Sequence, residues 1–555
     1  MRFWRPRVSA KELTVAAAFA AAIAIAPSAA QAQFPASFEL SALDGTNGFV
    51  INGIDANDYS GFVSDAGDVN GDGVDDVIIG SRREIYVVFG NNSGFPSSLD
   101  LSTLDGTNGF VINSGGGGSF SGAGDVNGDG IDDLIISTNG KSYVVFGKNS
   151  GFPSSLDLST LDGTNGFVMT NSGFRVRGAG DVNGDGFDDV IIGSSRSDPN
   201  GNADAGESYV VFGTNTGLSS LDLSALDGTN GFVINGIDAN DYSGSSVNGA
   251  GDVNGDGFDD LIIGAPGTNE SYVVFGSDSG FSSSLNLSSL NGFNGFVINR
   301  VGIEDGSGIS VSGAGDINED GIDDLIISVF TLSLGPITSE CYVVFGKGGS
   351  FSQSLDLSVL DGSNGFLVNG VTPVFSGGFS VSGAGDINDD GIDDLIIGEA
   401  NTSPNGNYFA GESYVVLGNA GGFSPSLDLK TLNGTNGFVI NGVDANDFSG
   451  ISVSGAGDVN GDGIDDIIIG APRAGGPGGF ENSYAGESYV VFGRAAPSDV
   501  LKGDVDMDGD IDFADIPPFI AVLQSGVFQA EADCDCNTAV EFADIPAFIN
   551  ILQEQ

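Results

Sequence analysis

The chain of 555 residues has no histidine, one tryptophan, three methionines and three cysteines, and it carries 17 Lys and Arg against 75 Asp and Glu. Without histidine there is no Ser-His-Asp or Cys-His catalysis, and no histidine-held zinc or haem. Chemistry on carboxylates alone stays open, including a two-acid glycosidase; otherwise the composition reads as non-enzymatic. Cys341, Cys534 and Cys536 cannot frame a chain of this length with disulfides. Cys341 stands where sibling repeats have serine, and is expected to be a passive core thiol. The formal net charge of −58 repels nucleic acid and anionic membranes.

Long apolar runs are also scarce. The stretch Val15 to Ala26 is too short to span a bilayer comfortably. It follows Arg2, Arg5, Arg7 and Lys11 and precedes Ala30-Gln31-Ala32, which has the A-x-A form of a cleavage site. Residues 1–32 are therefore expected to be a signal peptide, cleaved near Ala32. The mature protein is expected to be secreted, extracellular or at the cell surface, with no membrane insertion.

What is abundant is glycine (91) and phenylalanine (39), arranged in repeats. The phrase D-x-N-x-D-G-x-D-D and its close variants begin at Asp68, Asp125, Asp181, Asp252, Asp316, Asp386 and Asp458, at intervals of 56 to 72 residues. That period suits one propeller blade with generous loops. Each repeat offers short, glycine-bounded runs rich in β-branched and aromatic residues. In the last repeat these are Ser452–Gly457, Ile467–Gly470 and Ser488–Gly493, with a fourth segment typified by Leu427 to Asn441. The fourth segment occurs first at Phe38 to Asn52, before any acidic loop, and is missing after the seventh. The expected fold is an all-β, seven-bladed β-propeller over 33–494, closed by the N-terminal strand. A linker (495–502) then leads to a small α-helical domain (503–555).

The acidic phrase concentrates oxygen ligands in one turn, as a hard cation requires. Side chains at positions 1, 3, 5 and 9 and the carbonyl at position 7 can converge, and oxygen-only donors favour calcium over zinc or copper. The first loop supplies Asp68, Asn70, Asp72, Val74 and Asp76, and the second Asp125, Asn127, Asp129, Ile131 and Asp133. The third supplies Asp181, Asn183, Asp185, Phe187 and Asp189, and the fourth Asp252, Asn254, Asp256, Phe258 and Asp260. In the fifth these are Asp316, Asn318, Asp320, Ile322 and Asp324; in the sixth, Asp386, Asn388, Asp390, Ile392 and Asp394. The seventh has Asp458, Asn460, Asp462, Ile464 and Asp466. Two copies vary at position 4, where Glu319 and Asp389 replace glycine. About seven Ca2+ ions are expected in the propeller.

The loops and their surroundings resemble the FG-GAP repeats of integrin α-subunit propellers. Gly470-Ala471-Pro472 and Gly264-Ala265-Pro266 match the GAP element, while Ser449-Gly450 stands in the FG place. The resemblance covers 33–494. It implies seven blades, calcium in the loops between first and second strands, and ligands on the opposite face. That face would be built by loops such as 55–59, 238–242 and 444–448, and by the variable loops 196–207, 401–412 and 473–487.

In the tail, Asp504, Asp506, Asp508, Asp510, Asp512 and Asp515 follow EF-hand loop spacing, with Gly509 at position 6. Asp533, Asp535, Asn537, Glu541 and Asp544 form a second copy, with Thr538 in place of the glycine. One or two Ca2+ ions are expected here. Two such loops in a tail this short resemble a type I dockerin, which implies a cohesin-like partner. Phe513-Ala514 and Phe542-Ala543 occupy the positions where that family usually carries a Ser/Thr pair. The functional expectation is a non-catalytic adhesion or ligand-binding module for an extracellular protein or glycan. The alternative is a carbohydrate-binding accessory component of an extracellular polysaccharide-degrading complex.

Overall fold

The computed structural model describes residues 34–495 apart from 117, 300–309, 331–337, 374–379 and 476–483. The expected signal peptide and the tail, with its loop residues from Asp504 to Asp544, lie outside the described residues. Residues Gln33–Ala496 make one compact unit.

Glycine-bounded runs of Val, Ile and Phe extend because β-branched and aromatic side chains fit a pleated surface. They form seven five-stranded sheets. The innermost strands neighbour one another all the way round, and the last, Ser452–Gly457, lies against the first, Phe62–Gly67. The protein is thus an all-β, seven-bladed propeller. Among the described residues the helices are three-residue 3-10 turns, and none is long and apolar enough to cross a membrane.

Blade seven shows the construction. Ser452–Gly457 pairs antiparallel with Asp466–Ala471, which pairs antiparallel with Glu487–Val491. The second strand is buried along its whole length, because neighbouring sheets pack on both of its faces. The fourth place is taken by Gly48–Asn52, antiparallel to the third strand with Phe49 opposite Val490. The N-terminal strand therefore closes the ring, as the permuted repeat pattern requires.

The structure corrects the expected four-stranded blade. The fourth segment is not one strand. Its first part, such as Ser426–Asp428, crosses to the preceding blade and pairs parallel with Gly365–Pro373. A 3-10 turn, Leu429–Thr431, brings the chain back, and Gly437–Asn441 is the fourth strand of its own blade. Each repeat thus lends a fifth strand to its neighbour and covers an edge that would otherwise be open. Ser37–Glu39 does this for blade six.

Phenylalanine fastens the same seam. The fourth-strand ring stacks on a ring from the next repeat's loop in Phe110–Phe152, Phe232–Phe281, Phe296–Phe351 and Phe366–Phe423, with centroids 4.2–4.3 Å apart. Blade six has no next loop within the repeat array, and Phe34 supplies the ring, 4.3 Å from Phe438. Phe34 is buried. Phe34→Ala should therefore destabilise the propeller by about 3–5 kcal/mol, measured by chemical denaturation. Phe174→Ala, at a ring 72% exposed, should change stability by less than about 0.5 kcal/mol. Equal effects would contradict the clasp.

Candidate metal centre

Each acidic loop joins the inner strand to the second strand, so all seven sit at the same end of the blades. A β-bulge precedes each of the seven, as between Gly178 and Gly180, and re-aims the chain into the turn. The loop is then held by its own carboxylates. At position 1, Asp68 accepts from the amides of Gly71, Asp72 and Gly73 at 2.7–3.1 Å. At position 5, Asp72 accepts from the Val74 amide at 3.1 Å. The other loops repeat the pattern, as in Asp458 with Asp462 and Gly463, and Asp462 with Ile464.

Position 9 is the most enclosed. Asp76, Asp133, Asp189, Asp260, Asp324, Asp394 and Asp466 are fully buried. In Asp76, Oδ1 accepts from the Gly90 amide at 2.8 Å and Oδ2 from the Val69 amide at 3.1 Å. Asn70 donates to the same carboxylate through Nδ2. This one group ties the loop's start to Gly90, two residues beyond the third strand Ile85–Val88. Burial raises its pKa first, and repulsion from positions 1 and 5 adds to it. Asp133, Asp189, Asp260, Asp324, Asp394 and Asp466 are all pushed up to about 8, chiefly by burial.

Two features escaped the sequence reading. Position 8 joins neighbouring blades. Asp132 Oδ2 accepts from the Asp68 amide of the preceding blade at 2.8 Å, and Asp75 accepts from Asp458 across the closure at 2.8 Å. All seven junctions carry this bond, at 2.7–2.9 Å. It explains the glycine before each loop: a Cβ on Gly124 would lie 2.2 Å from Asp188 Oδ2. The signal was present as an invariant acid between two assigned positions. The second feature is position 4, where φ is positive in every loop. Glu319 and Asp389 adopt φ of 60° and 57° there, a region that costs an L-residue energy.

Among the described residues, no three acids stand grouped at metal-binding distance. The loop residues named from the sequence share a turn and a hydrogen-bond network, but the structure does not draw their carboxylates into a coordination shell. The oxygen-rich donor set and the mutual repulsion of positions 1, 5 and 9 suit a hard cation. Each carboxylate oxygen keeps acceptor capacity beyond its amide bond.

Three segments, residues 178–211, 243–281 and 449–491, match the family described as FG-GAP repeat. The chain is similar to phosphatidylinositol-glycan-specific phospholipase D of Bos taurus, with 34% identity over 130 residues, covering 22% of this chain and 15% of that protein. It is also similar to integrin alpha pat-2 of Caenorhabditis elegans, with 28% identity over 230 residues, 38% of this chain and 18% of the relative. Integrin alpha-5 of Xenopus laevis matches at 28% over 233 residues, 39% of this chain and 21% of the relative. The chain thus matches between 15% and 21% of the length of these relatives.

Two outcomes follow for metal-free protein. The position-9 carboxyls hold protons in the fold that the unfolded chain releases near pH 4. Stability should fall as pH rises from about 4 to about 8, then level off; melting temperatures across that range check it, and a rising trend would contradict it. Glu319→Gly should stabilise the protein by about 1 kcal/mol, read by denaturant titration. Destabilisation would show that the position-4 side chain contributes more than its backbone strain removes.

Proposed function

We propose that this chain is a secreted, calcium-binding propeller that works as a non-catalytic adhesion or ligand-binding module. The observation that carries the reading is sevenfold repetition of one oxygen-rich loop, each with a buried carboxylate whose ionisation is suppressed. Asp68, Asn70, Asp72, the Val74 carbonyl and Asp76, with their counterparts, would hold the ions. A bound cation would supply the positive charge that the position-9 group lacks and would stiffen one end of every blade. The similarity to integrin α chains and to the FG-GAP repeat supports a binding role for the propeller.

The ligand surface is assigned to the other ends of the inner strands. There the loops 55–59, 238–242 and 444–448 each end in an aromatic residue at positive φ: Tyr59, Tyr242 and Phe448. Arg82 lies over Tyr59 at 4.4 Å and Arg473 over Phe448 at 4.3 Å. Tyr59 stacks on Tyr484. Half-buried aromatic rings capped by exposed guanidinium groups on so acidic a chain make a distinctive recognition surface. The second reading, carbohydrate binding, is favoured by Tyr408, 60% exposed beside Phe409, because an open ring can stack on a sugar face. The tail is proposed to dock to a cohesin-like partner, on the strength of its duplicated loop spacing.

Calcium should raise the melting temperature and abolish the pH trend of the stripped protein. Saturation at 100 times the dissociation constant adds about 2.7 kcal/mol per site. An unchanged melt after verified metal removal would defeat the calcium reading. Screening the intact protein against extracellular proteins and polysaccharides, with hydrolysis assayed in parallel, tests the rest. Binding lost in Tyr59→Ala with Arg82→Ala supports the assigned face; turnover of a glycan would overturn the non-catalytic role.

A further inference from the structure

The seven inner strands enclose an axial channel with a cavity of about 400 Å³. Its lining is nearly uniform by repetition. At the third residue of the inner strand five blades carry serine, and at the fourth residue six carry glycine. Three residues break the pattern. Blade one has Asp65 in the glycine place, blade three has Arg177 in the serine place, and blade four has Asn248 there. All three line the same cavity.

The two charges attract each other across the channel but form no direct ion pair. Arg83 and Asp55 make an ion pair on the surface at 3.9 Å; Asp65 and Arg177 do not come within 4.0 Å of each other. Arg177 Nη1 donates to the backbone carbonyls of Phe120 and Val176 at 2.9 and 3.0 Å. That fixes the guanidinium and leaves Nη2 and Nε without a protein acceptor among the described residues. Asp65 receives a hydrogen bond from Ser64 Oγ at 3.1 Å. Enclosure weakens the charged form of both groups, raising the Asp65 carboxyl and lowering the Arg177 guanidinium. Asp65 is open to the channel and Arg177 is half-buried, so each charge is reachable by a ligand in the cavity and is only partly compensated by the other.

We propose that the axial channel binds a small zwitterion of the α-amino acid class, its carboxylate at Arg177 and its ammonium at Asp65. A guanidinium offers parallel donors to a carboxylate. The Asp65 carboxylate accepts from an ammonium. Serine hydroxyls, with Asn248 hydrogen-bonded to Ser312 Oγ at 2.9 Å, supply neutral polar contacts for the remainder. The volume lies within the usual range for small-molecule sites. A lone anion would compete with Asp65 for Arg177, and a lone cation would compete with Arg177 for Asp65, whereas a zwitterion meets both.

Isothermal titration calorimetry on the full chain at fixed calcium tests this with glycine, L-serine and L-glutamine. Acetate and methylammonium present each charge alone. At least one amino acid should bind saturably and at least about tenfold more tightly than either single-charge probe. Asp65→Gly and Arg177→Ser should each weaken it by at least about tenfold. Both variants install the residue most sibling blades carry, so the fold is preserved, and their melting curves verify that. No binding by any of the three amino acids would overturn the proposal. So would acetate or methylammonium binding as tightly, or undiminished binding in either variant.

Discussion

The propeller depends on one repeated bond, a carboxylate of each acidic loop accepting the first amide of the loop before it. It runs through all seven junctions, including the closure from Asp75 to Asp458. Charge-assisted bonds of this kind are stronger than neutral ones. Here they tie loops that already hold several acids each, so the junction that unites two blades also brings their negative charges together. Repulsion from neighbouring carboxylates adds to burial in raising the pKa of Asp132 and its counterparts. The architecture therefore builds its own demand for cations at one end of the ring. The stacked phenylalanines and the lent fifth strands supply apolar attachment without charge.

Much of this was legible in the sequence because the repeat states each rule seven times. The blade count, the strand runs, the acidic loops and the closure by residues near Phe49 follow from periodicity and from where the pattern starts. The crossing of Ser426–Asp428 to the preceding blade was not legible. A short segment before a turn looks the same whichever neighbour it joins, and pairing direction is set by packing. Position 8 was visible as an acid, but its partner lies in another repeat, 64 residues away for Asp132 and Asp68. The strain at Glu319 needed the backbone angle. The oxygen groups proposed as metal ligands share a turn as the spacing suggested, while their carboxylates are occupied with loop amides.

Departures from sevenfold symmetry carry the rest of the account. Positions kept in every blade serve the ring: the buried position-9 acid, the position-8 acid that bonds to the preceding loop, and the glycine before each loop. Among the positions that differ, two groups do not follow from those shared needs. One is the surface bearing Tyr59, Arg82, Phe448 and Arg473. The other is the axial channel, where Asp65 stands in the place of glycine and Arg177 in the place of serine. The first lies at the opposite ends of the inner strands from the acidic loops, while the channel cavity reaches Asp132 and Asp188 of two of those loops.

The central claim is that the acidic loops are calcium sites. The most direct measurement is anomalous diffraction from crystals grown in calcium, collected where calcium scatters anomalously. The account predicts a peak within coordination distance of the position 1, 3, 5 and 9 side chains and the position 7 carbonyl in each of the seven loops, about 2.3–2.6 Å from oxygen. Loops that keep their amide hydrogen bonds and show no peak at saturating calcium would contradict it.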